Sequence, residues 1–172
     1  MIIKHATQVG DPIIRAKAKP VVVTSKQNKK VVRDLIDSMR FHGLVGMAAP
    51  QIGIPQRIFV TEIRKTKART PNQLDPVRTF INPKMIGYST KKVFSYEGCG
   101  SVAAAGLFAD VKRSQAVVIE AFDEKGKKFR LRANGLLARI IQHEFDHLEG
   151  KVFLDRLSDM KSVMSRSEYL RR

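Results

Sequence analysis

Two histidines and a glutamate lie close together near the C-terminal end of the chain, in His143-Glu144-Phe145-Asp146-His147. On an α-helix, residues four positions apart project from the same face, so the two imidazoles could bind one metal ion. The glutamate beside the first histidine could then exchange protons with a water molecule at that ion. The pattern indicates metal-assisted hydrolysis.

The residues around this pattern predict the helix that positions it. Asn134 suits an N-cap and Gly150 suits a left-handed residue after the last turn, which predicts a helix over about 134–149. Helical steps from Leu136 reach both histidines, so the rings continue an inward-facing apolar stripe. Core histidines bonded to backbone carbonyls are the alternative interpretation.

A catalytic metal site usually has three protein ligands, so a third donor must come from elsewhere in the chain. Cys99 is the only cysteine and lies between Gly98 and Gly100, after a predicted strand over 91–96. It could equally be a small buried hydrophobe. Glu168 follows the histidines as a ligand does in some zinc metalloproteases, but its neighbours are polar and basic, which favours a solvated charge. A single cysteine excludes an internal disulfide and fits a reducing compartment.

A third segment, 46–53, consists mainly of small residues. It follows a helical pattern over 27–41 and precedes a predicted strand over 57–63, so we expect a tight connection there. Small side chains allow a substrate or another backbone to come close. Gln51 is its one polar group with reach, and a side-chain amide is a suitable donor to a developing oxyanion.

Together the three segments make the chain resemble the peptide deformylase family. The family motifs GxGxAAxQ, EGCxS and QHExxH correspond, in the same order, to 44–51, 97–101 and 142–147. Leu44 replaces the first glycine of the first motif, and Gly100 stands where leucine is usual in the second.

The stretch 102–106 also lacks the proline and arginine that are common in the family at that place. These departures fall beside the expected substrate cleft. They concern substrate preference and rate, because every residue that the family uses for metal and proton chemistry is present.

The resemblance implies a reaction and a role for each residue. Glu144 would move protons between the attacking water and the leaving amine. The Gln51 side chain and the Gly100 backbone N–H would stabilise the oxyanion. The implied ligands of a ferrous ion are Cys99, His143 and His147. These ligand types suit zinc at least as well, so iron comes from the resemblance, and zinc or nickel are possible substitutes.

The implied substrates are N-formylmethionyl peptides, which need an apolar pocket and a strand edge for the extended chain. The predicted substrate-binding residues are Val45, Gly46, Tyr96, Glu97, Leu136 and Ile140. The apolar ones are also ordinary core residues by pattern. Glu97 is not a ligand in this scheme, and we expect it to pair with Arg139, which faces away from the metal stripe.

Composition and pattern predict one α+β domain over 1–172, with mainly antiparallel strands packed around a central metal-binding helix. Strands are expected between about 57 and 133, including a hairpin over 117–131, and a short terminal helix from Leu157. No segment approaches the apolar length of a membrane span, and the first residues do not resemble a signal peptide. We therefore expect a cytosolic protein, either bacterial or the mature form of an organellar one.

The chain is strongly basic, with 32 Lys and Arg against 16 Asp and Glu and a net charge of +16. Four of the cations are concentrated in a predicted loop over 64–69. Such a surface is attracted to polyphosphate, and the resemblance suggests the ribosome, where formylated chains emerge. A generally basic, soluble surface without a partner is the alternative.

Two other functions remain open from the sequence. An HExxH endopeptidase would use Glu168 as its third ligand and would not need Cys99. A weakened homologue would have moved toward binding, or toward another N-blocked substrate, through Leu44, Gly100 and the 102–106 stretch.

Overall fold

The computed structural model describes residues 3–66, 70–72 and 74–172. Within these ranges the chain forms eight strands and four α-helices. The strands are β1 (Gly46–Ala48), β2 (Ile58–Ile63), β3 (Asp75–Tyr88), β4 (Lys92–Gly98), β5 (Leu107–Ser114), β6 (Ala116–Phe122), β7 (Lys128–Asn134) and β8 (Met164–Ser165). The helices are α1 (Pro12–Arg15), α2 (Lys26–Phe41), α3 (Gly135–Leu148) and α4 (Arg166–Tyr169).

The strands form two antiparallel sheets. The larger has the order β1-β2-β3-β6-β7 and the smaller the order β4-β5-β8. In the larger sheet Phe59 pairs with Phe80 across β2 and β3, and their rings stack with centroids 4.4 Å apart. This cross-strand aromatic pair is fully buried and fixes the centre of the sheet.

Helix α3 lies against the larger sheet and carries the histidines. Ala138, Ile141 and Leu148 share one buried cluster with the two stacked phenylalanines and with β6. The helix begins after Asn134, whose side chain makes no capping hydrogen bond, and is followed by Gly150 with a φ of 71°. A side chain at 150 would meet the Arg15 carbonyl oxygen, so glycine is required there.

Helix α2 supports β1 from the opposite side to α3. Val32, Leu35 and Met39 are buried against Met47 and against the strand beside it. Ser25 caps the helix by accepting a hydrogen bond from the Gln27 amide. The apolar face of α2 thus holds in place the short segment that leads to Gln51.

The α+β fold with antiparallel strands around a central helix is confirmed. The hairpin also forms as predicted, from β6 and β7. Among the described residues, every helix is too short or too polar to cross a lipid bilayer.

Two expectations about local structure were wrong. The 46–53 segment is not only a turn, because Gly46–Ala48 pairs with β2 before a 3-10 turn over Ala49–Ile52. The terminal helix does not start at Leu157. That stretch forms a 3-10 turn capped by Asp159 and then pairs with β5, which leaves only the four-residue α4.

Candidate metal centre and cleft

Cys99, which directly follows β4, lies close to His143 and His147 of α3, although the two segments are more than forty residues apart in the chain. The Cys99 sulfur lies 3.2 Å from Nε2 of His147. One donor atom from each of the three residues lies within 4.8 Å of the other two. No other group of three potential ligands of this kind occurs in the part of the chain that the structure describes. The predicted convergence of one sulfur and two ring nitrogens is confirmed.

The donor set fits a divalent metal in chemistry and in size. In a tetrahedral zinc site, bond lengths of about 2.3 Å to sulfur and about 2.0 Å to nitrogen place neighbouring ligand atoms about 3.5 Å apart. The separation of the Cys99 sulfur from the His147 ring nitrogen is close to that value. Burial alone would raise the pKa of the Cys99 thiol, but the two histidine rings lower it well below its usual range. A thiolate is therefore available as a ligand.

The strand-to-turn geometry around Cys99 depends on its neighbouring glycines. A Cβ on Gly98 would lie 2.7 Å from the ring of Phe108, its cross-strand partner. After Cys99 the chain turns at once, and its carbonyl accepts hydrogen bonds from the amides of Val102 and Ala105 at 3.1 Å. The Ser101 amide donates to the Cys99 sulfur at 3.4 Å.

The stretch 102–106, which lacks the proline and arginine common in the family, forms an unusual backbone turn beside the site. Ala103, Ala104 and Ala105 all have left-handed φ values, of 47°, 50° and 61°. This region costs a non-glycine residue about 1–2 kcal/mol, so the turn is strained. Gln8 holds it, accepting from the Ala104 amide at 3.0 Å and donating to the Gly100 carbonyl at 2.8 Å.

Glu144 is buried beside the three donors, and its Oε2 has no hydrogen-bond partner among the described residues. Burial raises its pKa to about 7, against the lowering effect of the nearby histidines. Gly46 makes room for it, because a Cβ there would lie 2.4 Å from Oε1 of Glu144. The carboxyl group can therefore both hold and release a proton near neutral pH.

Gln51 points its amide toward Cys99. Its Oε1 accepts a hydrogen bond from the Ala48 amide at 2.8 Å, which fixes the orientation of the side chain. Its Nε2 then lies 3.7 Å from the Cys99 sulfur and 3.3 Å from the Ser101 hydroxyl. The 3-10 turn after β1 brings this donor to the metal centre.

Gly100 and Leu44, the two single-residue departures from the family motifs, lie against each other. A Cβ on Gly100 would meet Cδ1 of Leu44 at 3.1 Å, which is closer than ordinary contact. Leu44 thus occupies space that a side chain at position 100 would need. The second motif lacks its usual leucine at position 100, and the additional leucine of the first motif, at position 44, fills part of the same space. We call this an exchange of volume between the two motifs.

This exchange predicts a non-additive pair of substitutions. Gly100→Leu alone should destabilise the protein by about 1–3 kcal/mol, because the new side chain overpacks against Leu44. The double variant Leu44→Ala/Gly100→Leu should recover most of that loss in urea unfolding. Additivity within about 0.5 kcal/mol would contradict the exchange.

Glu97 lies at the base of the site and has more hydrogen-bond partners than the expected Arg139 alone. Its oxygens accept from Arg113 at 2.9 Å, from Arg139 at 2.7 Å and from Nδ1 of His143 at 2.9 Å. The predicted pair with Arg139 is confirmed. The carboxylate lies under the cleft, and its pKa is strongly lowered by His143 and Arg113 despite its burial.

The sequence reasoning missed Arg113 and gave no role to Asp146. Arg113 bridges the two carboxylates, with Nη1 2.5 Å from Oδ2 of Asp146. Arg156 also donates to Asp146, at 2.5 and 3.0 Å. The one sequence signal for Arg113 was its position two residues after Val111 on the same strand. Residues two apart in a strand face the same side, and the Val111 side is buried.

The metal centre opens into a cleft of about 260 Å³. All of the predicted substrate-binding residues line it, namely Val45, Gly46, Tyr96, Glu97, Leu136 and Ile140. Three further lining residues come from the C-terminal segment and were not predicted, namely Arg166, Tyr169 and Leu170.

The C-terminal segment is held to the cleft by aromatic contacts. Tyr169 stacks on Phe108 with centroids 4.1 Å apart and meets the edge of Tyr96 at 5.8 Å. The adjacent apolar residues Tyr169 and Leu170, in an otherwise polar and basic tail, were the only sequence signal for this contact. Glu168 instead is exposed, pairs with Arg171 at 2.7 Å and is not in the cluster of potential metal ligands.

The chain matches known deformylases along almost its whole length. The family model for polypeptide deformylase matches residues 3–163. Peptide deformylase of Dictyoglomus turgidum is 41% identical over 155 residues, which cover 90% of this chain and 93% of that protein.

Solved structures agree with the sequence match. The peptide deformylase from Ehrlichia chaffeensis in complex with actinonin has a TM-score of 0.84 at 32% identity, covering 94% of this chain and 92% of that one. A class I type b peptide deformylase from Acinetobacter baumannii has a TM-score of 0.87 at 26% identity, covering 92% and 100%. With the metal centre and the cleft in the same chain, these matches show that the protein belongs to the polypeptide deformylase family.

Proposed function

We propose that this protein is a metal-dependent hydrolase that removes the N-formyl group from the N-terminal methionine of newly made proteins and releases formate. The observation that carries the proposal is the meeting of Cys99, His143 and His147 beside buried Glu144, next to a cleft of about 260 Å³. Family membership gives the bond that is cleaved.

The residues around the centre have complementary tasks in this reaction. A divalent metal held by Cys99, His143 and His147 would supply a water of lowered pKa and polarise the formyl carbonyl. Glu144 takes the proton from the attacking water and passes it to the leaving amine, for which a pKa of about 7 is well suited.

Two donors are proposed to stabilise the negative charge that develops on the formyl oxygen. The Nε2 group of Gln51, held in its orientation by the Ala48 amide, makes only long contacts, at 3.3 and 3.7 Å, so it can still donate to a better acceptor. The Gly100 backbone N–H makes no hydrogen bond within the described ranges. Glycine at this position retains the N–H, so the departure from the motif leaves the oxyanion donor intact.

Glu97 acts as a positioning residue. Its hydrogen bond to Nδ1 of His143 fixes the ring so that the other nitrogen faces the centre. Arg113 and Arg139 in turn pair with this carboxylate, which restrains the group that orients His143.

The cleft suits an extended peptide with an apolar first side chain. Val45, Leu136 and Ile140 provide apolar walls for the methionine. Among the described strands, β1 and β4 each lie at the edge of a sheet, and Gly46 and Tyr96 on these strands line the cleft. Their free edges support main-chain pairing with the substrate.

The test is formate release from formyl-Met-Ala-Ser by protein purified anaerobically with ferrous iron. Formate released in a one-to-one ratio with free amino termini supports the proposal. Cleavage of internal peptide bonds instead would favour an endopeptidase, which the exposed position of Glu168 already disfavours.

We propose ferrous iron as the native metal on the basis of the family resemblance. Zinc and nickel are the proposed substitutes, because the donor types suit all three ions. Metal analysis of anaerobically purified protein, followed by activity after reconstitution with each ion, tests this. We also propose that the protein acts in the compartment where formylated chains are made, the bacterial cytosol or its organellar counterpart.

We propose that the basic surface brings the enzyme to the ribosome, where its substrates emerge. The net charge of +16 supports this, while residues 67–69 of the basic loop lie outside the described residues. Affinity for ribosomes should fall about ten-fold for every two phosphate contacts between about 50 and about 200 mM salt. Sedimentation with ribosomes at both salt concentrations measures this, and binding independent of salt would refute an electrostatic association.

A further inference from the structure

A second groove, of about 360 Å³, continues from the catalytic cleft at its mouth. The two share four residues, so a chain leaving the cleft on this side enters the groove directly; they are His42, Gly43, Thr66 and Arg166. Beyond the shared residues, the groove is lined by one aromatic side chain, Phe41, and by the cations Arg40, Arg64 and Lys65.

The positive charges of this groove are only partly neutralised. Arg40 forms a two-point pair with Glu62 at 2.7 and 2.9 Å, and Arg64 lies 3.5 Å from the same carboxylate. Lys65 and Arg166 are exposed, and in the described ranges neither has a carboxylate within 4.0 Å. Glu62 and Asp37, the carboxylates that act on Arg40, therefore oppose four cations, which leaves a net positive groove that favours an anion.

Because the groove is continuous with the catalytic cleft, a substrate bound in the cleft is the ligand that would reach it. If the formyl group lies at the metal centre and methionine in the apolar pocket, the following residues leave through the mouth of the cleft. An extended chain advances about 3.3 Å per residue, so the next few side chains reach past the mouth.

We propose that this groove is a binding subsite for acidic side chains in the first residues after the formylated methionine. Lys65 and Arg166 would provide the charges that meet an Asp or Glu carboxylate. This inference depends on the proposed deformylase function and specifies which of its substrates are preferred.

The experiment compares amidated peptides of the type formyl-Met-Ala-Xaa-Ala and formyl-Met-Ala-Ala-Xaa, with Asp, Asn or Lys as Xaa. Amidation removes the terminal carboxylate, and Asn matches Asp in shape without its charge. At low salt we expect kcat/KM to be about two- to five-fold higher for Asp than for Asn at one of the positions, through a lower KM. The preference should disappear at high salt.

Charge reversal locates the effect. Lys65→Glu and Arg166→Glu should each abolish or invert the preference for Asp over Lys. Lys127→Glu, an exposed residue in the β6–β7 turn outside the groove, makes the same change in net charge and should leave the preference intact. The ratio of kcat/KM values between peptides is insensitive to a general loss of active protein.

Equal kcat/KM values for the Asp, Asn and Lys peptides would overturn the proposal, as would a preference that survives both reversals. Competitive inhibition by an RNA oligonucleotide, without any preference for Asp, would assign the groove to polyphosphate and would also overturn it. Failure of the deformylase function itself looks different, because then no peptide in the series releases formate.

Discussion

Glu144→Gln is expected to lower kcat for formyl-methionyl peptides by about 10²–10⁴-fold, the usual contribution of a positioned general acid-base. Glutamine has nearly the same shape as the protonated carboxyl, so it should fit the space beside Gly46. It cannot take up a proton from water, and it cannot deliver one to the amine. Formate release under saturating substrate is the measurement.

The matched control for this variant is Glu124→Gln, an exposed glutamate in the β6–β7 turn. It removes the same charge away from the cleft, and its kcat should equal that of the unmodified protein. Bound metal should be retained in both variants. Full activity in Glu144→Gln would show that another group moves the proton.

Cys99→Ala is expected to remove bound metal and to reduce formate release to background, because two imidazoles alone do not complete a catalytic site. Metal that binds only the folded protein also stabilises it. A chelator should therefore lower the melting temperature of the unmodified protein and leave that of Cys99→Ala unchanged. Metal analysis and thermal melting test this independently of activity.

Glu168→Ala is the counterpart that separates the two hydrolase classes. Its carboxylate is exposed and paired with Arg171, so metal content and formate release should both persist. The opposite result, with Cys99 dispensable and Glu168 essential, would favour the HExxH endopeptidase.

The distinction between a deformylase and an HExxH endopeptidase therefore depends on the Cys99 sulfur. Among the described residues, Cys99 is the third donor beside the histidines, and Gln51 contacts it through its amide. A glutamate in the last residues of the chain could satisfy the sequence spacing, but the fold places it in solvent. The spacing alone does not distinguish the two candidates.

The sequence by itself determined the elements that carry the chemistry. The period of the apolar residues in α3, its ending before Gly150 and the alternation in the β6–β7 hairpin are local signals, and the structure agrees with each. The resemblance carried by the three ordered motifs, and not the residue types alone, indicated that Cys99 joins the two histidines.

Only the tertiary structure decided how the site is supported and bounded. The bridge from Glu97 through Arg113 to Asp146 joins β4, β5 and α3, and no local pattern encodes which buried charges meet. The same holds for Leu44 against Gly100 and for Tyr169 on Phe108, where the partners lie dozens of residues apart. Periodicity reports which face of an element is buried, whereas the packing of distant elements selects what that face contacts.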